Sequence, residues 1–171
     1  DGYVLEDERL NNQGGTLDAT GKIFRLGDTS AKQQYRAFLS FNTRDLPDNA
    51  LITSAELKIK PDNLFGTNPF VTHKPLIVDI RKPYFGSSVT LIESDFQAPA
   101  NRAWIGKFDP VPSDGWYTAT LKDTAYPFIN LTGPTQFRLR FYLGDDNDDI
   151  DDCFEFVSGN SATVTYRPVL I

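Results

Sequence analysis

Apolar and polar residues alternate through several short runs of this chain, separated by clusters of proline, glycine, asparagine and aspartate. In FRLRFYL, Phe137, Leu139, Phe141 and Leu143 alternate with Arg138, Arg140 and Tyr142, and in AELKIK, Ala55, Leu57 and Ile59 alternate with Glu56, Lys58 and Lys60. A period of two puts successive side chains on opposite faces of a strand, so each run offers one face to a core and one to solvent or a groove. Runs at Tyr35–Phe41 and Ile52–Lys60 flank a polar loop (Asp45, Leu46, Pro47, Asp48, Asn49), the pattern of consecutive strands in an all-β domain. The same reading predicts strands at Gly2–Leu5, Ile23–Leu26, Leu76–Lys82, Trp116–Leu121, Phe137–Leu143, Cys153–Val157 and Thr163–Leu170. About nine short strands imply two packed sheets, an antiparallel β-sandwich. Prolines punctuate the connections at Pro47, Pro61, Pro69, Pro75, Pro83, Pro99, Pro110, Pro112, Pro127 and Pro134, and no long helical period survives between them. Little helix is expected, at most a short turn around Ser94–Phe96 or Asp123–Phe128, with long loops at 61–75 and 83–115.

At 171 residues and 19.2 kDa the chain has the size of one domain with its own core, a single module over residues 1–171. Hydrophobic content of 40% with 13% aromatics excludes a disordered chain. No stretch approaches the roughly 20 apolar residues of a membrane span. The start carries no basic-then-apolar leader and the chain has no methionine, so it is expected to be a processed or excised piece of a longer secreted protein. The single cysteine, Cys153, excludes an internal disulfide and a thiolate metal cluster, and within CFEFV it reads as a small buried hydrophobe.

Charge is distributed unevenly. Lys and Arg total 17 and Asp and Glu total 23, for a net charge of −6. Six of the acids stand in DDNDDIDD, Asp145–Asp152, and removing them leaves 17 acids against 17 bases. The acidity therefore belongs to one loop, and without a basic face no nucleic-acid partner is expected.

The segments IFRLGD, YRAFLSFNTRDLPDNALITSAELKIK, GWYTATL, INLTGPTQFRLRF, DDNDD, FVSG and RPVLI follow one another between Ile23 and Ile171. In that ordered set the chain resembles the DNRLRE-type, disaggregatase-related family of bacterial and archaeal extracellular modules, kin to a carbohydrate-binding module of alginate-degrading enzymes. The resemblance implies a jelly-roll β-sandwich appended to a secreted hydrolase, protease or surface protein. It also implies a secreted or cell-surface location, with other domains of the parent chain as partners. The loops at 61–75 and 83–115 depart from the family pattern and bear on the shape of any binding face.

A hard cation such as Ca²⁺ takes six to eight oxygens at about 2.3–2.6 Å, which a tight acidic turn supplies within a few residues. Asp145, Asp146, Asn147, Asp148, Asp149, Asp151 and Asp152 are the candidate ligands of a structural Ca²⁺. Asp145, Asn147, Asp149 and Asp151 alternate like the first ligands of an EF-hand loop, but Ile150 stands where that loop needs glycine and Phe156 where it needs glutamate. A calcium-type site here is thus of a different, loop-supported kind. The alternative is a solvated negative loop that keeps a sheet edge soluble. DDNDD recurs in the resembling family, which implies a structural role for it.

Carbohydrate recognition needs flat aromatic faces and convergent polar groups. Trp104 stands in NRAWIGKFD with Arg102 and Lys107 nearby, Tyr84 follows Arg81 and Lys82, and Arg36, Arg138 and Arg140 occupy outward strand positions. Together they suit an acidic sugar. The competing reading makes Trp104 a plug at the end of the sandwich and pairs the arginines with carboxylates.

The catalytic inventory is poor. The only histidine, His73, lies in TNPFVTHKP with no G-x-S-x-G nucleophile motif, and zinc would normally want further His or Cys ligands, so it reads as a loop histidine without catalytic role. Asn130-Leu131-Thr132 is a glycosylation sequon, relevant only in a eukaryotic secretory pathway. The expected function is a non-catalytic carbohydrate-binding accessory module for polysaccharide, acidic polysaccharide included, with a structural calcium-type ion. A structural or adhesive extracellular module that binds protein or cell envelope is the competing class. A glycoside-active enzyme using some pair of the 23 acids is the third.

Overall fold

Strands form at every predicted run but Thr163–Leu170, and the computed structural model, which describes residues 1–171, joins twelve strands in all into one curled sheet. In chain order these are β1 (Gly2–Glu6), β2 (Gly14–Asp18), β3 (Ile23–Asp28), β4 (Gln34–Asn42), β5 (Glu56–Ile59), β6 (Pro61–Phe65), β7 (Leu76–Arg81), β8 (Arg102–Phe108), β9 (Tyr117–Leu121), β10 (Pro134–Phe141), β11 (Cys153–Val157) and β12 (Val169–Leu170). Helix is confined to one α-turn, α1 (Pro69–Thr72), and to 3₁₀ turns at Glu93–Asp95, Asp123–Phe128 and Val164–Tyr166. The strand order is β12-β5-β9-β8-β7-β10-β4-β3-β11-β6, and off this path β1 pairs with β4 and β2 with β1.

The curl turns on β4. Its Ala37–Asn42 stretch pairs with β10, whereas β3 joins it only through Gly27 with Tyr35 and Asp28 with Gln34. Past that short junction the sheet folds back on itself, and Phe154 and Phe156 of β11 stand against Tyr117 of β9, each with ring centroids 5.7 Å away. The result is sandwich-like: Phe24, Leu26, Leu57, Ile59, Val78, Phe137, Leu139 and Phe141 share one buried cluster with those rings. Each such side chain contributes about 1.5–3 kcal/mol by leaving water.

Residues 83–101 cover the opposite face of β1, β4 and β10. They bury Phe85, Phe96 and Ala98 against Val4 and Phe38 in a second, smaller core. This corrects the expectation that the second face of FRLRFYL reaches solvent or a groove along its length, since Arg138 is only 7% exposed. Only the end of that face, at Tyr142, lies open.

The long loops also hold more structure than their sequence announces. The first carries β6 and α1, and the second carries β8. β6 lies at the sheet edge, where the missing N–H of Pro61 costs least. β2 begins on two glycines and β8 is bulged across from β7 near Asp79, so neither displays the clean period of two that marks a strand. Thr163–Leu170, expected as a strand, is a 3₁₀ turn followed by the two-residue β12.

Candidate metal centre and exposed aromatic face

β3 and β11 pair antiparallel with Gly27 opposite Cys153, so Asp28 and Asp152 meet just past the last pair. The Asp28 N–H donates to the Asp152 carbonyl at 3.0 Å, and the Asp152 N–H donates to Asp28 Oδ1 at 3.3 Å. Glycine is required at position 27, where φ is +125° and a Cβ would stand 1.9 Å from the Asp152 carbonyl oxygen. Gly66 makes the same kind of approach from the β6–α1 loop, and the next residue, Thr67, donates its N–H to Asp152 Oδ1 at 2.6 Å.

His73 reaches this point from the end of α1. It closes α1 with its N–H on the Pro69 carbonyl at 2.8 Å, and its own carbonyl accepts the Leu143 N–H at 3.1 Å, anchoring the acidic loop where it leaves β10. The imidazole is fully buried, edge-on to Phe141 with centroids 5.9 Å apart. Its Nε2 stands 3.3 Å from Asp28 Oδ1, and a ring nitrogen with one oxygen each of Asp146 and Asp152 forms a group within 4.8 Å of one another. Asp146 Oδ1 is buried there without a hydrogen-bond partner. Desolvation and the Asp148, Asp152 and Asp28 carboxylates push the Asp146 carboxyl above the usual aspartate range, opposed by His73.

Of the seven candidate ligands in the aspartate run, the structure brings Asp146 and Asp152 together and sends the others elsewhere. Asp145 pairs with Arg9 at 3.2 Å, Asp149 pairs with Lys32 at 2.9 Å, and Asn147 accepts from the same ammonium at 2.9 Å. Asp148 accepts the Ile150 N–H at 2.8 Å, and Asp151 accepts the Ser30 N–H. The run thus has basic neighbours, Arg9 and Lys32, that lie far from it in the chain. His73 and Asp28 were not marked as ligands by the sequence; a lone histidine and a strand-end aspartate carry no metal-site spacing.

On the other side of the sheet, Asp79 of β7 is buried between two guanidiniums from β10, with Oδ2 2.9 Å from Arg138 Nη2 and 3.3 Å from Arg140 Nε. Burial alone would raise the Asp79 carboxyl, but Arg138, Arg140 and the Trp104 N–H together hold it below the usual carboxylate range. Arg138 Nη1 donates to the carbonyls of Phe96 at 3.0 Å and Ala98 at 2.8 Å, which fastens the 83–101 cover to the sheet. Arg36 donates to the Phe96 carbonyl at 2.6 Å and lies 3.8 Å over that ring, its pKa lowered by burial and by repulsion from Arg138 and Arg140. Arg36 and Arg138 are therefore engaged beneath the cover, and Tyr84 is half-buried at its start.

Trp104, Arg102 and Lys107 remain exposed on β8. Trp104 adopts φ +54°, with its N–H on Asp79 Oδ1 at 3.0 Å and its carbonyl accepting Lys122 Nζ at 2.8 Å. Its indole, 40% exposed, tilts at 51° against Tyr142, 48% exposed, with centroids 5.4 Å apart. Lys74 Nζ lies 5.9 Å from the Tyr142 ring centre, and Arg140 is half-buried beside Asp79. The sequence signalled Trp104 but gave no reason to join it to Tyr142 and Lys74.

Neither the protein-family models nor the curated proteins yield a match to this chain. No helix is long and apolar enough to cross a membrane.

Proposed function

We propose that the chain is a non-catalytic accessory module of a secreted or cell-surface protein, binding acidic polysaccharide on the face built by Trp104 and Tyr142. The observation that carries this reading is the conformation of Trp104. A left-handed backbone on a bulky residue costs about 1–3 kcal/mol, and here two polar anchors, Asp79 and Lys122, hold it while the indole stays partly exposed beside Tyr142. Such a position serves recognition better than packing. Two tilted rings offer apolar faces to a sugar, and Lys74, Lys107 and Arg140 offer charge to its carboxylates. The carboxylate nearest this face, Asp79, is committed to two guanidiniums, which supports a binding rather than a catalytic role.

Affinity electrophoresis and calorimetry against a polyuronate and a neutral glucan test the reading. The polyuronate should be bound, and Trp104→Ala or Tyr142→Ala should weaken binding about tenfold, equivalent to 1.4 kcal/mol, with little change in Tm. Wild-type affinity in Trp104→Ala would overturn the assignment. Failure to bind either polymer would favour a structural or adhesive module.

A further inference from the structure

We infer that His73, Asp28, Asp146 and Asp152 form a closed structural site for one divalent first-row transition-metal ion of the zinc or manganese kind. The inference begins with a single proton. Thr72 Oγ1 lies 2.7 Å from His73 Nδ1 and 3.3 Å from Asp152 Oδ2. A carboxylate only accepts, so the one hydroxyl proton goes to Asp152, and Thr72 must accept its second bond from an Nδ1–H. With one proton on the ring, the lone pair then belongs to Nε2.

Nε2 is fully buried, faces Asp28 Oδ1 at 3.3 Å and makes no hydrogen bond. A lone pair held against a carboxylate in a dry pocket is repulsive unless a cation lies between them, and a proton on Nε2 would make no hydrogen bond to Asp28 in this geometry, which leaves the position to a metal ion. Asp146 Oδ1, also buried and unpartnered, adds a second orphan acceptor to the same cluster. Orientation of the ring by an Nδ1–H bond, with a carboxylate behind it, is the usual support of a metal-bound histidine.

The donor set selects the ion. Ca²⁺ takes oxygen ligands almost exclusively, whereas one imidazole nitrogen with several carboxylates suits zinc or manganese. The 3.3 Å separation of Nε2 and Asp28 Oδ1 matches the edge of a coordination tetrahedron with bonds of about 2.0–2.1 Å. Three of these donors, on His73, Asp146 and Asp152, stand within 4.8 Å of one another, Asp28 stands beside Nε2, and only Asp146 reaches toward solvent, which describes a structural rather than a catalytic centre. An ion here would clamp the end of β3, the start of β11, the end of α1 and the acidic loop.

The test uses the whole chain, stripped with chelator and titrated separately with ZnCl₂, MnCl₂ and CaCl₂ by calorimetry and elemental analysis. One equivalent of Zn²⁺ or Mn²⁺ should bind, and Tm should rise by several degrees. The NMR signals of the imidazole, unambiguous because His73 is the only histidine, should shift in step. Asp146→Asn is the variant least able to disturb folding, because its side chain is partly exposed and its carboxylate makes no hydrogen bond through Oδ1. It should stay folded and bind at least tenfold more weakly, and His73→Gln should abolish the preference for transition metals. Asp149→Asn, which alters an exposed loop carboxylate paired with Lys32 and outside the cluster, should bind as the wild type does. No uptake of Zn²⁺ or Mn²⁺, unchanged imidazole signals on uptake, or wild-type affinity in Asp146→Asn would each overturn the site. None of these readouts involves a polysaccharide.

Discussion

Asp79 Oδ1 accepts the Trp104 N–H at 3.0 Å, and this bond fixes the bulge of β8 from which the exposed indole projects. The other oxygen of the same carboxylate takes Arg138 and Arg140, and Arg138 in turn holds the carbonyls of the 83–101 cover. One buried acid therefore links the sheet, its cover and the aromatic face.

Removing that acid leaves Arg138, beneath the cover, and the half-buried Arg140 without their common counter-charge. Asp79→Ala should lower stability by about 3–5 kcal/mol, the usual cost of breaking a buried pair from one side. Urea unfolding followed by fluorescence measures it. A loss below 1 kcal/mol would show the network to be solvated.

The same carboxylate sets an acid limit. Because Asp79 is held below its ordinary pKa in the folded state, its contribution is complete above the unfolded-state value near 3.9 and disappears as pH falls through the lower folded-state value. Stability should decline below about pH 4, and Asp79→Asn, already weakened, should show a shallower decline there. Parallel acid titrations of the two proteins in urea decide it.

Cys153 is buried, and that burial pushes its thiol up to about 12. Under native conditions at pH 8 a thiol reagent should label it only as fast as the protein opens, and denaturant should release the full reaction. Rapid native labelling would contradict the buried placement of β11.

Gly27→Ala should be among the costliest single-methyl additions. Its φ of +125° and the Asp152 carbonyl, 1.9 Å from the new Cβ, leave no room without separating β3 from β11. A loss of more than about 2 kcal/mol is expected, compounding backbone strain with displacement. Metal affinity should fall with it, since Asp28 and Asp152 meet through this contact.

Polyuronate binding should weaken as salt rises, because exposed cations such as Lys107 are screened within about 10 Å at 0.1 M ionic strength. Binding isotherms at several salt concentrations give the slope. An affinity independent of salt would leave stacking as the only attraction and remove the case for an acidic ligand.

Local pattern was enough to place β4, β7, β9, β10 and β11, and for Cys153–Val157 even the boundaries, because a half-buried strand must repeat its apolar positions every two residues and a strand buried on both faces reads as a short, nearly continuous apolar run. It also put Cys153 inside. β2, β6 and β8 lack that repeat, interrupted by glycines, an edge proline and a bulge, so tertiary pairing alone made them strands. Which face of a strand is solvated was likewise outside local pattern: Arg138 sits at an outward position that residues 83–101 then cover. Distance in the chain hides the two sites for the same reason. Charge density drew attention to Asp145–Asp152, yet the curl at β4 chose Asp146 and Asp152 and added His73 and Asp28, residues with no mutual spacing to read. Local periodicity records what each segment must bury. Only the closing of the sheet decides which segments bury it together, and therefore which polar groups are left facing one another.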